Sequence, residues 1–187
     1  MPIQLKGNWT EGYVLDRHVI SSEFVGQDAF GNDVFDTVRT ELGELVYRMK
    51  YNGHHDTTDE IVKIATPFLT EWLKDKNVNS VIPVPPSNYR DFQPVYRLAE
   101  ALAKQLHTFY VPNVLDKVSN LQSKNMPREN KSIKGTIKLC RKPVRECNIL
   151  LVDDLYSTGA TAMECTRILQ TEPLVKNVYF LAITKTK

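Results

Sequence analysis

Apolar residues recur at helical spacing along Ile61, Ile64, Ala65, Phe68, Leu69, Trp72 and Leu73, behind a Thr57/Glu60 capping box, and predict a helix that stops near Asn77. The run from Val78 to Val84 predicts a short buried strand, broken by Pro83, Pro85 and Pro86. Val95, Leu98, Ala99, Leu102, Ala103 and Leu106 then define a second amphipathic helix, and Phe109 to Val114 a further strand. From Lys117 to Arg145 the chain is polar with little periodicity, which reads as a loop with some strand. The apolar run Asn148 to Val152 ends in Asp153-Asp154 and is followed by a Ser-Thr-Gly turn, a helical segment from Ala160 to Gln170 and a final strand from Val178 to Ile183. Ahead of all this, residues 8–40 mix aromatic and β-branched residues with Gly12, Gly26, Gly31 and Asn32, and predict short antiparallel strands and turns. Alternating strands and helices imply an α/β fold, a mostly parallel sheet flanked by helices. No internal repeat and no linker-like shift of composition divides the chain.

Length and composition narrow the class. A chain of 187 residues suits a single domain, and 42% hydrophobic with 25% charged residues is the balance of a globular protein, which excludes collagen, coiled coil and low-complexity chains. Lys and Arg number 24 against 22 Asp and Glu, so the net charge of +2 gives no general affinity for polyanions or acidic membranes. Cys140, Cys147 and Cys165 are odd in number and form no CxxC pair, so neither a disulfide framework nor a zinc ribbon is expected and a reducing compartment fits. The first residues, MPIQLKGNWTEGY, hold no apolar stretch like a signal peptide, and no segment approaches the roughly 18 apolar residues of a spanning helix. The expectation is a cytoplasmic protein with no membrane partner.

The chemistry lies in Ile149-Leu150-Leu151-Val152-Asp153-Asp154-Leu155-Tyr156-Ser157-Thr158-Gly159-Ala160-Thr161-Ala162. A strand buried on both faces needs an unbroken apolar run, and ligands of open α/β sheets bind at the carboxyl ends of such strands, where both acids emerge. Ser157 to Thr161 turn the chain into a helix whose free N–H groups and dipole favour an anion. Gly159 lets backbone approach that anion, and the hydroxyls of Ser157, Thr158 and Thr161 add donors, each hydrogen bond to a charged oxygen contributing about 1.5–3 kcal/mol. A ribose 5-phosphate has hydroxyls for the acids and a phosphate for the turn. The sequence lacks GxxxxGK[ST], GxGxxG and EF-hand spacing. A solvated strand end with Ser157 or Thr158 as a plain helix cap accounts for one acid and one cap, but not for the pair, the spacing and the small residues together.

Four apolar residues, two acids, three residues and Thr-Gly-Ala-Thr resemble the PRPP-binding signature of type I phosphoribosyltransferases. The segments Val81-Ile82-Pro83-Val84-Pro85-Pro86, Tyr96 to Ala103 and Tyr47-Arg48-Met49-Lys50-Tyr51, with Lys117 and Gln122, extend the resemblance to ComF-like, competence-associated members over about the last three quarters of the chain. Residues 1–40 contain no cysteine, so the zinc module common in that branch is not expected. The resemblance implies a type I phosphoribosyltransferase fold in one domain, with a β-rich hood over about residues 1–45 and a PRPP-binding core over about 46–187. It implies a Mg²⁺-dependent transfer of the phosphoribosyl group to a nitrogen acceptor, a nucleobase. Asp153 and Asp154 would hold the ribose hydroxyls, Ser157, Thr158, Gly159, Ala160 and Thr161 the 5′-phosphate, and Asp154 would take the acceptor's proton. Mg²⁺ would arrive with the diphosphate, and no residue is assigned as its direct ligand. A PRPP or nucleotide sensor and a DNA-uptake accessory remain alternatives, and a homodimer is left open.

By the same resemblance Pro85, Pro86, Ser87 and Asn88 form the pyrophosphate loop, for which the residues alone say only that a strand gives way to a turn. Lys117, Gln122, Lys124 and Arg128 would belong to a flexible loop closing over PRPP. Between Lys117 and Arg145 nine basic residues face one acid, Glu129, which suits a polyanionic ligand or a solvated irregular surface. Single-stranded nucleic acid is disfavoured because the segment has no aromatic residue for stacking. His54 and His55, like His18 and His107, lack a ligand cluster and receive no role. The apolar stripe with Trp72 reads as core, and Cys165 as buried and inert.

Overall fold

Ile149, Leu150, Leu151 and Val152 are apolar without interruption because their strand is covered on both sides: Leu150 and Val152 pack into one core, Ile149 and Leu151 into the other. The computed structural model describes residues 1–51, 57–86, 93–118 and 135–186. Its elements are β1 (Ile3–Gln4), β2 (Glu11–Arg17), β3 (Val19–Gln27), β4 (Asp33–Arg39), α1 (Glu41–Tyr51), α2 (Thr57–Leu73), β5 (Ser80–Pro83), α3 (Pro94–Gln105), β6 (Phe109–Tyr110), β7 (Leu115–Lys117), β8 (Ile137–Leu139), β9 (Cys147–Tyr156), α4 (Ala160–Leu169) and β10 (Val175–Lys185). A six-stranded sheet runs in the order β1-β2-β10-β9-β5-β6 and is parallel except for β1, which lies antiparallel at the edge.

The last strand states the layering most clearly. Tyr179, Leu181 and Ile183 of β10 join Leu45, Leu69 and Leu98 of α1, α2 and α3 on one face. Val178, Phe180 and Ala182 join Ala162, Cys165 and Leu169 of α4, together with Leu115 and Ile137 of the β7–β8 ribbon, on the other. The expected mixed α/β architecture, a mostly parallel sheet between helices, is the observed one. Among the described residues no helix is long and apolar enough to cross a membrane.

Several details differ from the sequence reading. Residues 8–40 do not form only antiparallel strands: β2 pairs parallel to β10, while β3 and β4 make a separate antiparallel hairpin. Periodicity reveals a strand but not its partner, and here the partner is the last strand of the chain. Pro83 ends β5 without breaking it, since the Val84 amide still donates to the Val152 carbonyl at 2.8 Å. Strand amides alternate sides, so the donor Pro83 lacks would point toward β6, whose pairing with β5 stops at Val81. The strand expected over Phe109 to Val114 is limited to Phe109–Tyr110, and Asn113 adopts a φ of 58°.

Helix α1 is not among the predicted elements. Leu42, Leu45, Val46 and Met49 nevertheless recur at helical spacing and are buried, and the Gly43 amide donates to the Thr40 hydroxyl at 3.0 Å. A Cβ on Gly43 would run into the His18 carbonyl, so glycine lets the helix lie against the turn between β2 and β3. That contact aims the end of α1 at the carboxyl edge of the sheet.

Candidate functional site

Strand β9 continues through Asp153 and Asp154 to Tyr156, in register with Ala182, Thr184 and Lys185 of β10. The acids are therefore held by the sheet and do not begin the loop. Asp154 is buried, and its Oδ1 lies 2.7 Å from the Lys50 Nζ at the end of α1, with both side chains largely covered. The Asp153 carboxylate accepts the Asp154 amide at 2.9 Å. Burial and the neighbouring Asp154 charge push the Asp153 carboxyl up to about 7, against the opposing pull of Lys50 and two backbone amides.

After Tyr156 the chain bends through Ser157, Thr158 and Gly159 into α4. Gly159 sits at the helix start with φ 76°, where its carbonyl accepts the Met163 amide at 2.8 Å. A Cβ on Gly159 would come within 2.6 Å of the Tyr156 ring, so the position needs glycine for both its backbone and the space beside it. The Ala160 amide reaches the Thr158 hydroxyl at 3.4 Å, and the Thr161 and Ala162 amides have no acceptor among the described residues. These donors, with the exposed hydroxyls of Ser157 and Thr158, give the turn the chemistry to receive an anion.

The two halves meet in one cavity of about 330 Å³ at the carboxyl ends of β5 and β9. Asp153, Asp154, Ser157, Thr158, Gly159, Ala160 and Thr161 all line it, as do Pro85 and Pro86 at the end of β5. Ser87 and Asn88 lie outside the described residues, as do Gln122, Lys124, Arg128, His54 and His55. Lys117 closes β7 opposite Ile137 and is not among the residues lining the cavity. Burial holds its amine below the ordinary lysine range, with Cys165 and Asp153 pulling the other way.

Three residues at this edge have no role in the sequence reading. Lys50 and Tyr51 line the cavity from α1; the helical spacing of Leu42, Leu45, Val46 and Met49 could have announced the helix, but not that its end packs here. His18 hydrogen-bonds through Nδ1 to the Thr184 hydroxyl at 3.0 Å, and that hydroxyl donates to the Asp154 carbonyl at 3.3 Å. Burial first, then Arg39 and Lys50, hold the His18 ring below its ordinary pKa, which favours the neutral imidazole as a fixed strut.

No family model and no curated protein matches the chain. Among solved structures it is similar to adenine phosphoribosyltransferase from Leishmania tarentolae, at 13% identity and TM-score 0.49, covering 99% of this chain and 94% of that one. It is similar to the Giardia lamblia APRTase complexed with 9-deazaadenine, at 16% identity and TM-score 0.46, covering 88% and 81%. A hypoxanthine phosphoribosyltransferase from Staphylococcus aureus gives 15% identity and TM-score 0.46 over 68% of this chain and 64% of that one.

Proposed function

We propose that the protein is a phosphoribosyltransferase of the type I fold, which binds PRPP with Mg²⁺ and transfers the phosphoribosyl group to a nucleobase nitrogen with release of pyrophosphate. One observation carries the reading: a carboxylate pair and an anion-accepting turn share a cavity of about 330 Å³. Ribose hydroxyls donate to the carboxylates, and the 5′-phosphate accepts from the turn as an anchor away from the reacting carbon. In the transfer the C1–oxygen bond to diphosphate breaks as the acceptor nitrogen bonds to C1. Both carboxylates then lie close to the positive charge that develops on the sugar.

The acceptor nitrogen must also lose a proton. Asp154 is tied to Lys50, whereas the Asp153 carboxyl is lifted to about 7, near the value that suits a proton acceptor at neutral pH. We therefore assign the proton to Asp153 in preference to Asp154. Lys50 and Tyr51 line the same cavity, so α1 stands where diphosphate or acceptor would pass.

The donor set suits a metal that comes with its substrate. Among the described residues no three His, Cys, Asp or Glu side chains cluster as a metal cage. Two carboxylates on a phosphate-binding cavity match Mg²⁺, which keeps waters and takes substrate oxygens. Bound there, it would neutralise the leaving diphosphate, while Asp153 and Asp154 orient its waters and the ribose.

The test is incubation with PRPP, Mg²⁺ and single nucleobases, with pyrophosphate release as the readout. Release with one base is expected. PRPP binding by calorimetry without release in any mixture would replace transfer with sensing, and loss of that binding is expected for Asp153→Asn/Asp154→Asn. Unchanged affinity in that double variant would remove the site assignment.

A further inference from the structure

The β3–β4 hairpin stands away from both cores as a two-stranded ribbon, an arrangement only marginally stable in water by itself. Ile20, Phe24, Val25, Phe35 and Val38 on its strands are exposed, and Phe30 at its tip is 91% exposed. Residues 19–38 carry four acids, Glu23, Asp28, Asp33 and Asp36, and no Lys or Arg. Glu23 and Asp36 face each other across the ladder, a like-charge pair that costs stability unless a cation arrives from outside. None of the four has a cationic partner among the described residues.

A surface of the opposite character lies elsewhere on the same chain. A second cavity, of about 320 Å³, has an apolar floor that includes Ile82, Val114 and Leu169. Its rim includes Arg141 and Arg145, neither of which meets a carboxylate among the described residues, and Arg145 instead lies 5.3 Å from the Phe109 ring centre. Val144 between them is 95% exposed. An aromatic side chain flanked by acids fits this apolar hollow with a basic rim.

The two surfaces lie at opposite ends of the sheet. Arg17, where β2 leads to the hairpin, pairs with Lys185, as Tyr156 does, so the arm leaves from the carboxyl edge. Ser80, Cys147 and Val175, the first residues of β5, β9 and β10, line the second cavity at the other edge. An arm whose tip is in solvent at one end of the sheet leaves its own chain's cavity unfilled at the other, so the complementary pair is available between two copies.

We propose that the protein self-associates by seating the Phe30 tip of one copy's hairpin in the Arg141/Arg145-rimmed cavity of a second copy. Aromatic insertion supplies the apolar burial and Asp28, Asp33 and Asp36 meet the arginines, so association weakens with salt.

The experiment is sedimentation velocity of the full chain over a concentration series at low and high salt. A dimer that dissociates as salt rises is expected. Phe30→Ser and Arg145→Glu, both at exposed positions, should each weaken dimerisation at least about tenfold while circular dichroism stays native. Asp33→Lys should also weaken it, and combined with Arg145→Glu it should recover part of the loss. A monomer at every concentration, or a dimer indifferent to both Phe30→Ser and Arg145→Glu, would overturn the proposal.

Discussion

Lys50 and Asp154, 104 positions apart in the chain, form a 2.7 Å ion pair at the carboxyl edge of the sheet, joining the end of α1 to the acidic tip of β9. The pair is mostly covered, so its members depend on each other: the attraction offsets a desolvation cost that either charge would bear alone.

The losses of the two partners should therefore not be additive. Lys50→Met is expected to lower unfolding stability by about 3 kcal/mol, and Asp154→Asn added to it to cost less than the two single losses together. Urea unfolding of the four proteins of the cycle measures this. Additive losses would mean that the pair contributes no coupling.

Asp153 gives a pH dependence of the opposite sign to that of a salt-bridged carboxylate. Its folded pKa of about 7 lies above the ordinary carboxyl value, so across that window the folded state holds the extra proton. Stability from this group is greatest in acid and falls as pH rises from about 4 to about 7, the ordinary and raised values, after which the penalty is constant. Asp153→Asn should match the parent near pH ~4 and exceed it by about 1–3 kcal/mol near pH ~8, in the absence of ligand. Thermal unfolding at both pH values decides it, and a variant less stable than the parent in alkali would contradict it.

Gly159→Ala meets two separate costs. The φ of 76° is strained for any side chain by about 1–2 kcal/mol, and the new methyl group meets the Tyr156 ring. Tyr156→Ala in the same chain should relieve the clash alone. Weaker PRPP binding in Gly159→Ala, partly restored in the double variant, is expected from calorimetry; full restoration would mean that the backbone conformation contributes nothing.

The cysteines should separate by rate. Cys140 is exposed, Cys147 half-buried and Cys165 buried, and burial raises the thiol pKa of the last two. A disulfide reagent should modify Cys140 first and reach Cys165 only on unfolding, which mass spectrometry of quenched samples would follow. Early labelling of Cys165 would contradict the packing of α4 on the sheet.

The order of elements from α2 to β6 and from β9 to β10, the double-sided apolar run before Asp153 and the small-residue turn after it were legible, because each depends on residues within a few positions of one another; α1 was missed. The same local chemistry placed Ser157 to Thr161 at a helix start. Lys50 was not legible as a neighbour of Asp154, nor His18 as a strut behind it, since nothing in the spacing of one segment reports which distant segment packs on it. Sequence alone also left β2 without its partner, because a strand pattern is the same whether its neighbour runs parallel or antiparallel. The pattern of side chains thus determined most of the elements and the acidic strand end that runs into a small-residue turn. Only the packing of α1 against the sheet decided which cation faces the acids and how far burial lifts Asp153, because desolvation and charge proximity are properties of the assembled fold.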